Sequence, residues 1–149
     1  MLNSETWIEN IGDRNVRTLQ DAQNYLLAGP LLSYQVNGFG LWLVAIKGGT
    51  PIGMCGLIKR KGLQHIDIGF ALLPAYTGKG YAYEITSATL RYAKEQLGVN
   101  DVCAITAKNN HRASTLLQKL GMHSHGMISV PGIEEELMLF EMDDENSKI

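Results

Sequence analysis

The chain has little cysteine, little proline and few aromatics. Its two cysteines in 149 residues, Cys55 and Cys103, each sit inside an apolar run. That excludes a disulfide framework and points to buried free thiols in a reducing compartment. Four prolines, and no repeat, Pro/Ser-rich stretch or low-complexity tract, offer no linker at which to divide the chain. One domain over residues 1–143 with a polar tail at 144–149 is therefore expected. Positive charge is not in excess: 13 Lys and Arg stand against 15 Asp and Glu, for a net charge of −2. That balance argues against nucleic acid as the main partner. No apolar run approaches the roughly 20 residues that span a bilayer, and the first ten residues have no signal-peptide pattern. A cytoplasmic chain with neither membrane nor nucleic-acid partner is expected. No metal is expected either, since His123 and His125 alternate on a presumed strand without Cys or paired carboxylates at ligand spacing. A chain of this size buries roughly two thirds of its unfolded surface and needs no metal or disulfide staple.

What the chain does have is 16 glycines, unevenly placed. Residues 1–14 carry Trp7, Ile8 and Ile11 at helical spacing. A second helical stripe, Leu19, Ala22, Tyr25 and Leu26, is expected to stop at Gly29-Pro30. Apolar runs at 40–47 and 52–59, joined by Gly48-Gly49-Thr50-Pro51, read as a hairpin, with 65–73 as a third antiparallel strand. Ile85, Ala88, Thr89, Tyr92, Ala93 and Leu97 then recur at helical period, with Gly98 as the stop. Residues 101–106 read as a covered inner strand. A helix opened by Asn109 or Asn110 and ended by Gly121 follows, then strands at 122–130 and 134–142. The expected class is mixed α/β with a mostly antiparallel sheet and one crossover. A doubly wound sheet would need βα alternation throughout.

The segment Pro74-Ala75-Tyr76-Thr77-Gly78-Lys79-Gly80-Tyr81-Ala82 joins a strand to the longest helix. Small residues at alternate positions let the backbone approach a ligand, and the first amides of a helix have no internal partner. Together with the helix dipole they seat a phosphate or pyrophosphate, with Lys79 adding charge at the rim. The bland alternative is a tight turn that needs glycine for conformation alone. The pattern is neither a GxxxxGK[ST] P-loop nor a dinucleotide GxGxxG.

The stretch Ile68-Gly69-Phe70-Ala71-Leu72-Leu73-Pro74, then Tyr76-Thr77-Gly78-Lys79-Gly80-Tyr81-Ala82-Tyr83-Glu84, resembles the acyl-CoA-binding motif of GNAT N-acetyltransferases, closest to the RimJ/RimL-like branch. Asn110-His111-Arg112-Ala113 followed by Leu117-Gln118-Lys119-Leu120-Gly121-Met122 resembles that branch's Asn-x-x-Ser…Glu-Lys-Leu-Gly-Phe stretch. Ile52-Gly53-Met54-Cys55-Gly56 and Ile11-Gly12-Asp13-Arg14 are weaker matches, so the resemblance runs from about Ile8 to Phe140. It implies a GNAT-like twisted sheet with a splayed central parallel pair, flanking helices and acetyl-CoA as co-substrate. The pantetheine arm would lie along Phe70, Ala71 and Leu72, much as an added β-strand. Thr77, Gly78, Lys79, Gly80, Tyr81 and Ala82 would hold the pyrophosphate, and Asn110, also a ready helix cap, would contact the pantetheine side.

The reaction implied is direct attack of a primary amine on the acetyl thioester. A lysine-like amine is mostly protonated at neutral pH, so a base helps. Asp67 is the first candidate, against the alternative of an exposed strand carboxylate. Glu84 is explained by the helix dipole, and His65 and His111 more often serve as surface or core residues. The Phe70 amide would be the oxyanion donor by family analogy. The family's tyrosine acid falls at Leu117 and its serine at Ala113, with Ser114 adjacent as a candidate; the first loop position is Thr77. The acceptor, a protein N-terminus or a small-molecule amine, is expected between residues 7–34 and 123–131, with Trp7, Tyr34 and Phe39 as lining candidates. A non-catalytic acyl-CoA-binding or sensing module, and an interaction domain whose glycine loop is only a turn, remain open. Relatives begin with a further strand, so the first strand is expected to be missing and 40–47 to form an open edge. Residues 1–14 or a second copy would then cover that edge, the latter making a homodimer, or the chain is a shortened product.

Overall fold

A computed structural model describes residues 1–5, 8, 11 and 14–142. Trp7, Gly12 and Asp13, and the tail expected over 144–149, lie outside the described residues. The first complete helix is α1 (Leu19–Ala28), opened by a reciprocal capping box. Asp21 N donates to Thr18 Oγ1 at 3.0 Å, and Thr18 N donates to Asp21 Oδ2 at 3.1 Å. The stop expected at Gly29-Pro30 is a junction: Pro30 is the first residue of a second helix, α2 (Pro30–Asn37). A proline lacks the N–H that a first-turn residue would leave unpaired anyway, so the same residue that closes α1 opens α2.

Six strands follow in the order β1-β2-β3-β4-β6-β5 across one sheet. They are β1 (Leu41–Ala45), β2 (Pro51–Ile58), β3 (Ile66–Leu72), β4 (Val102–Thr106), β5 (Met122–Ile128) and β6 (Leu137–Met142). The β1–β2 hairpin closes through Ile46 N to Thr50 O at 3.1 Å. All neighbours are antiparallel except β3 and β4, which are joined in parallel through helix α3 (Tyr81–Gln96). Helix α4 (His111–Lys119) connects β4 to β5. Among the described residues β1 has a strand partner on one side only, and Leu43 on it is 70% exposed.

The core lies on the α3–α4 face, where Leu57, Ile68, Ala93, Val102, Leu117 and Phe140 form one cluster. The face that α3 buries keeps Thr89 and Ala93 of the expected stripe and adds Thr86, whereas Tyr92 is 45% exposed and meets Trp42 edge-on. Two buried threonines break an apolar pattern without breaking the packing. Each donates its hydroxyl to a carbonyl one turn back, Thr86 to Ala82 O at 2.6 Å and Thr89 to Ile85 O at 2.8 Å. Phe140, 1% exposed, sits centrally in this layer. Phe140→Ala is expected to lower unfolding stability by about 3–5 kcal/mol in urea titrations. Leu19→Ala, at a residue 85% exposed, should stay within about 0.5 kcal/mol of the parent.

Candidate active site

The sheet opens where its parallel pair meets. β3 and β4 are in register at Ile66↔Val102 and Asp67↔Cys103 and no further. β3 runs on beside β2 as far as Gly53↔Leu72, while β4 stays with β6 out to Thr106↔Met138. The two strands therefore part beyond Asp67 and enclose a wedge. Leu73 N donates to Ile52 O at 2.8 Å, which fixes the antiparallel alternation along β3. Gly69 and Ala71 direct their backbone groups to β2, so those of Phe70 and Leu72 turn toward the wedge. Backbone groups left without a ladder partner call for another one.

At the end of β3 the chain makes a 3₁₀ turn, Pro74–Tyr76, tied by Thr77 Oγ1 donating to Pro74 O at 2.8 Å. Gly78 (φ 74°) and Gly80 (φ 87°) then take left-handed conformations that side chains of L-residues resist. Gly80 is the N-cap of α3 and supplies no side-chain cap, so the first amides of the helix are left for another acceptor. A Cβ at either glycine would meet nothing within 4 Å, so both face open space. The loop thus has the shape and exposed donors of an anion cradle. Lys79 Nζ lies 5.6 Å from the centroid of the Tyr76 ring, a cation–π distance.

Wedge and loop open into one cleft of about 1860 Å³, well above the roughly 300–1000 Å³ of a pocket for one small ligand. Its wall brings together Asp67, Phe70, Ala71, Leu72, Thr77, Gly78, Gly80, Ala82 and Asn110. Lys79, Tyr81 and Ser114 are not on that wall. Asn110 caps α4, its Oδ1 accepting from Ala113 N at 3.2 Å, and Ser114 Oγ donates back to Asn110 O at 3.2 Å. Leu117, where the family's tyrosine would fall, is 1% exposed and packs in the core. On the opposite side α1 and α2 contribute Tyr25, Pro30, Leu32, Ser33 and Val36. Of the expected acceptor residues, Tyr34 donates its hydroxyl to Leu41 O, Phe39 belongs to the core, and Trp7 lies outside the described residues. The segment 123–131 does not line the cleft; Ile133 and Leu137 do.

Asp67 is 2% exposed, at the last paired position before the wedge. It is not an exposed strand carboxylate. Arg60 Nε donates to its Oδ2 at 2.7 Å, and Oδ1 has no hydrogen-bond partner. Burial pushes the carboxyl up to about 6, outweighing the nearby Arg60 charge, its hydrogen bond and the lesser pull of the Ile105 amide. Arg60 escaped the sequence reading because its partner is seven residues away across a turn. The register Ile58↔Asp67 is the signal that places them together. Burial also pushes the Cys103 thiol up to about 12, helped by the Asp67 and Glu141 carboxylates, and the Cys55 thiol up to about 11. Neither is a thiolate nucleophile at neutral pH. Among the described residues no group of three or more His, Cys, Asp and Glu is placed to hold a metal, and no helix is long and apolar enough to cross a membrane.

An Asp carboxyl that titrates at about 6 when folded and 3.8 ordinarily holds more proton in the native state across that window. Stability therefore falls as pH rises through it, by at most about 3 kcal/mol. Asp67→Asn removes this cost. The variant is expected to match or exceed the parent's urea midpoint at pH 7.5 and to lose the pH dependence between about 4 and 7. A clearly less stable variant at pH 7.5 would mean that the Arg60 contact outweighs the burial cost.

Comparison with known proteins agrees with this geometry. The sequence profile described as "Acetyltransferase (GNAT) domain" matches residues 2–123. The "Uncharacterized N-acetyltransferase YoaA" of Bacillus subtilis (strain 168) is 27% identical over 65 residues, 44% of this chain and 37% of that protein, so the match spans little more than a third of its length. The fold recurs in an acetyltransferase from Agrobacterium tumefaciens str. C58, with TM-score 0.77, 16% identity and coverage of 96% of this chain and 81% of that one. It recurs again in spermidine N-acetyltransferase from Vibrio cholerae in complex with CoA and spermine, with TM-score 0.76, 15% identity and coverage of 95% and 84%. A profile match over most of the chain, on a sheet splayed at its parallel pair, shows that this protein belongs to the GNAT acetyltransferase family.

Proposed function

We propose that the protein is an N-acetyltransferase that uses acetyl-CoA to acetylate a primary amine, either a protein N-terminus or a small molecule. The observation that carries this reading is the wedge beyond Asp67↔Cys103 leading to the uncapped start of α3 at Gly80. The residues fit the co-substrate: backbone groups of Phe70 and Leu72 match an amide-bearing arm, and the amides at Gly78–Ala82 match a pyrophosphate. Asn110 would present its amide nitrogen to the same arm while its oxygen caps α4. Thr77 shapes the turn; Lys79 and Tyr81, off the cleft wall, would act at most on the solvent-facing phosphates. Acetyl-CoA supplies a thioester whose carbonyl carbon the amine attacks.

Asp67 is the group we assign to take the amine's proton, at Oδ1, and its environment suits a base poised below neutrality. The Phe70 N–H, turned toward the wedge, would donate to the carbonyl oxygen as it gains charge. A CoA thiol with a pKa resembling that of cysteine, about 8.5, leaves without a dedicated acid. That matters because Leu117 offers none and Ser114 donates to Asn110 O. The same two positions favour a second reading, a non-catalytic acyl-CoA-binding module. Within the family we place the chain beside the RimJ/RimL-like branch on Asn110 and Leu120-Gly121, as one domain over residues 1–143. The buried free thiols of Cys55 and Cys103 support a cytoplasmic location.

Acetyl-CoA and CoA are expected to raise the melting temperature, with about 2.7 kcal/mol of added stability at 100 times Kd. Gly80→Val should remove that shift, because φ of 87° is strained for valine and its side chain would fill the cradle. No shift in the parent with either ligand would refute binding. Amine-dependent thiol release then separates an enzyme from a sensor. The open β1 edge, with Leu43 70% exposed, supports a homodimer. A dimer is expected by sedimentation at micromolar concentration, and a monomer there would exclude it.

A further inference from the structure

The Arg60–Asp67 pair does more than satisfy a buried charge. Arginine usually meets a carboxylate with its two-nitrogen fork, filling both oxygens. Here the contact is through Nε to Oδ2 alone, and Oδ1 is left without a partner inside the protein. Arg60 comes from the segment just past β2 and keeps 27% of its side chain exposed, while Asp67 keeps 2%. No other cation among the described residues makes an ion pair with Asp67. Directly opposite on β4 stands Cys103, a neutral thiol. One strand further, Glu141 faces Cys103 and lies 3.6 Å from His125 Nδ1. Lys59 and Arg14 belong to the same cleft wall as Arg60.

We propose that Arg60 is a positioning residue for the reaction: by holding Oδ2 through Nε it fixes the Asp67 carboxylate with Oδ1 unbonded and keeps it ionised at working pH. This rests on the acetyltransferase reading, in which Oδ1 takes the proton of the amine. Two opposed forces set the base. Burial drives the carboxyl toward its neutral form, which makes it basic enough to be useful. The guanidinium pulls the other way, so that the group is not already protonated when the amine arrives. Without Arg60 only the lesser pull of the Ile105 amide opposes burial. An opposite charge at this distance is worth about one to three pH units to a carboxyl. Its loss would take the ionised share of Asp67 at pH 7 from about nine-tenths to one half or less.

The test has a readout independent of turnover. Protein labelled with ¹³C at the aspartate carboxyls is titrated by NMR, with the Asp67 resonance assigned by its disappearance in Asp67→Asn. The parent is expected to titrate at about 6. Arg60→Gln should titrate about one unit or more higher, and Arg60→Lys between the two. A midpoint in Arg60→Gln that matches the parent overturns the proposal. In parallel, CoA thiol release from acetyl-CoA is followed with a panel of primary amines across the pH range. In Arg60→Gln the acid limb of kcat should move with the carboxyl midpoint, activity should recover at high pH, and KM for acetyl-CoA should stay at the parent value. A carboxyl that shifts while the acid limb does not also overturns the positioning role. If the parent releases no thiol with any amine, the acetyltransferase reading fails and the positioning role with it. That outcome is distinguishable because the carboxyl titration reports on Arg60 regardless.

Discussion

The arrangement of the cleft depends on a hydrogen-bond ladder that stops. A parallel pair in the middle of a sheet ordinarily continues as long as both strands do, because each unpaired buried amide is costly. β3 and β4 part after Asp67↔Cys103, each held to its other neighbour. Part of the reason lies on β2. A Cβ at Gly53 would fall 2.2 Å from Ala71 O, so the absence of a side chain lets the far end of β3 lie tight against β2. The register Gly53↔Leu72 puts this close approach at the stretch that has left β4. What one side of β3 gains in contact, the other side yields as open backbone.

Everything else at the site is placed by that parting. The glycine loop follows β3 and delivers the start of α3 to the end of the wedge, while α4, which begins just after β4, brings Asn110 to the other lip. Period-two alternation on β3 sends Ile68 and Phe70 toward α3 and leaves Asp67, Gly69 and Ala71 on the face shared with α1 and α2. The carboxylate is therefore on the opposite face from the core, yet buried to 2% exposure.

Much of this was legible in the chain, and the gaps have physical causes. The strands from Leu41 to Leu72 showed as apolar runs between turn residues, and the glycine loop showed because Gly78 and Gly80 stand where a strand gives way to the longest helix. α2 was missed because Pro30 serves equally as a stop and as a first residue, and only the next elements decide which. Thr89 and Ala93 of the expected α3 stripe are buried, but Thr86 was missed, being polar by formula yet satisfied by its own helix. Lys79 and Ser114 illustrate a different gap: sequence places a residue on a loop or helix, but only packing decides whether it reaches the cleft. Arg60 needed the register of a hairpin before its partner could be named.

The position of Asp67 makes sense only if stability is not what it serves. A carboxyl buried to 2% exposure with one oxygen unpartnered is worse for the fold than an amide or an apolar group would be. The Arg60 contact, with the lesser pull of the Ile105 amide, offsets only part of that cost, since the group is still pushed up to about 6. Neither the sheet nor the helices need an acid there: its row neighbours Ile58 and Cys103 are uncharged, and the core lies on the other face. Among the described residues, the one place where the fold tolerates an unfavourable buried charge is also the apex of the wedge. That coincidence is what an acid–base role would require, and packing alone gives no reason for it.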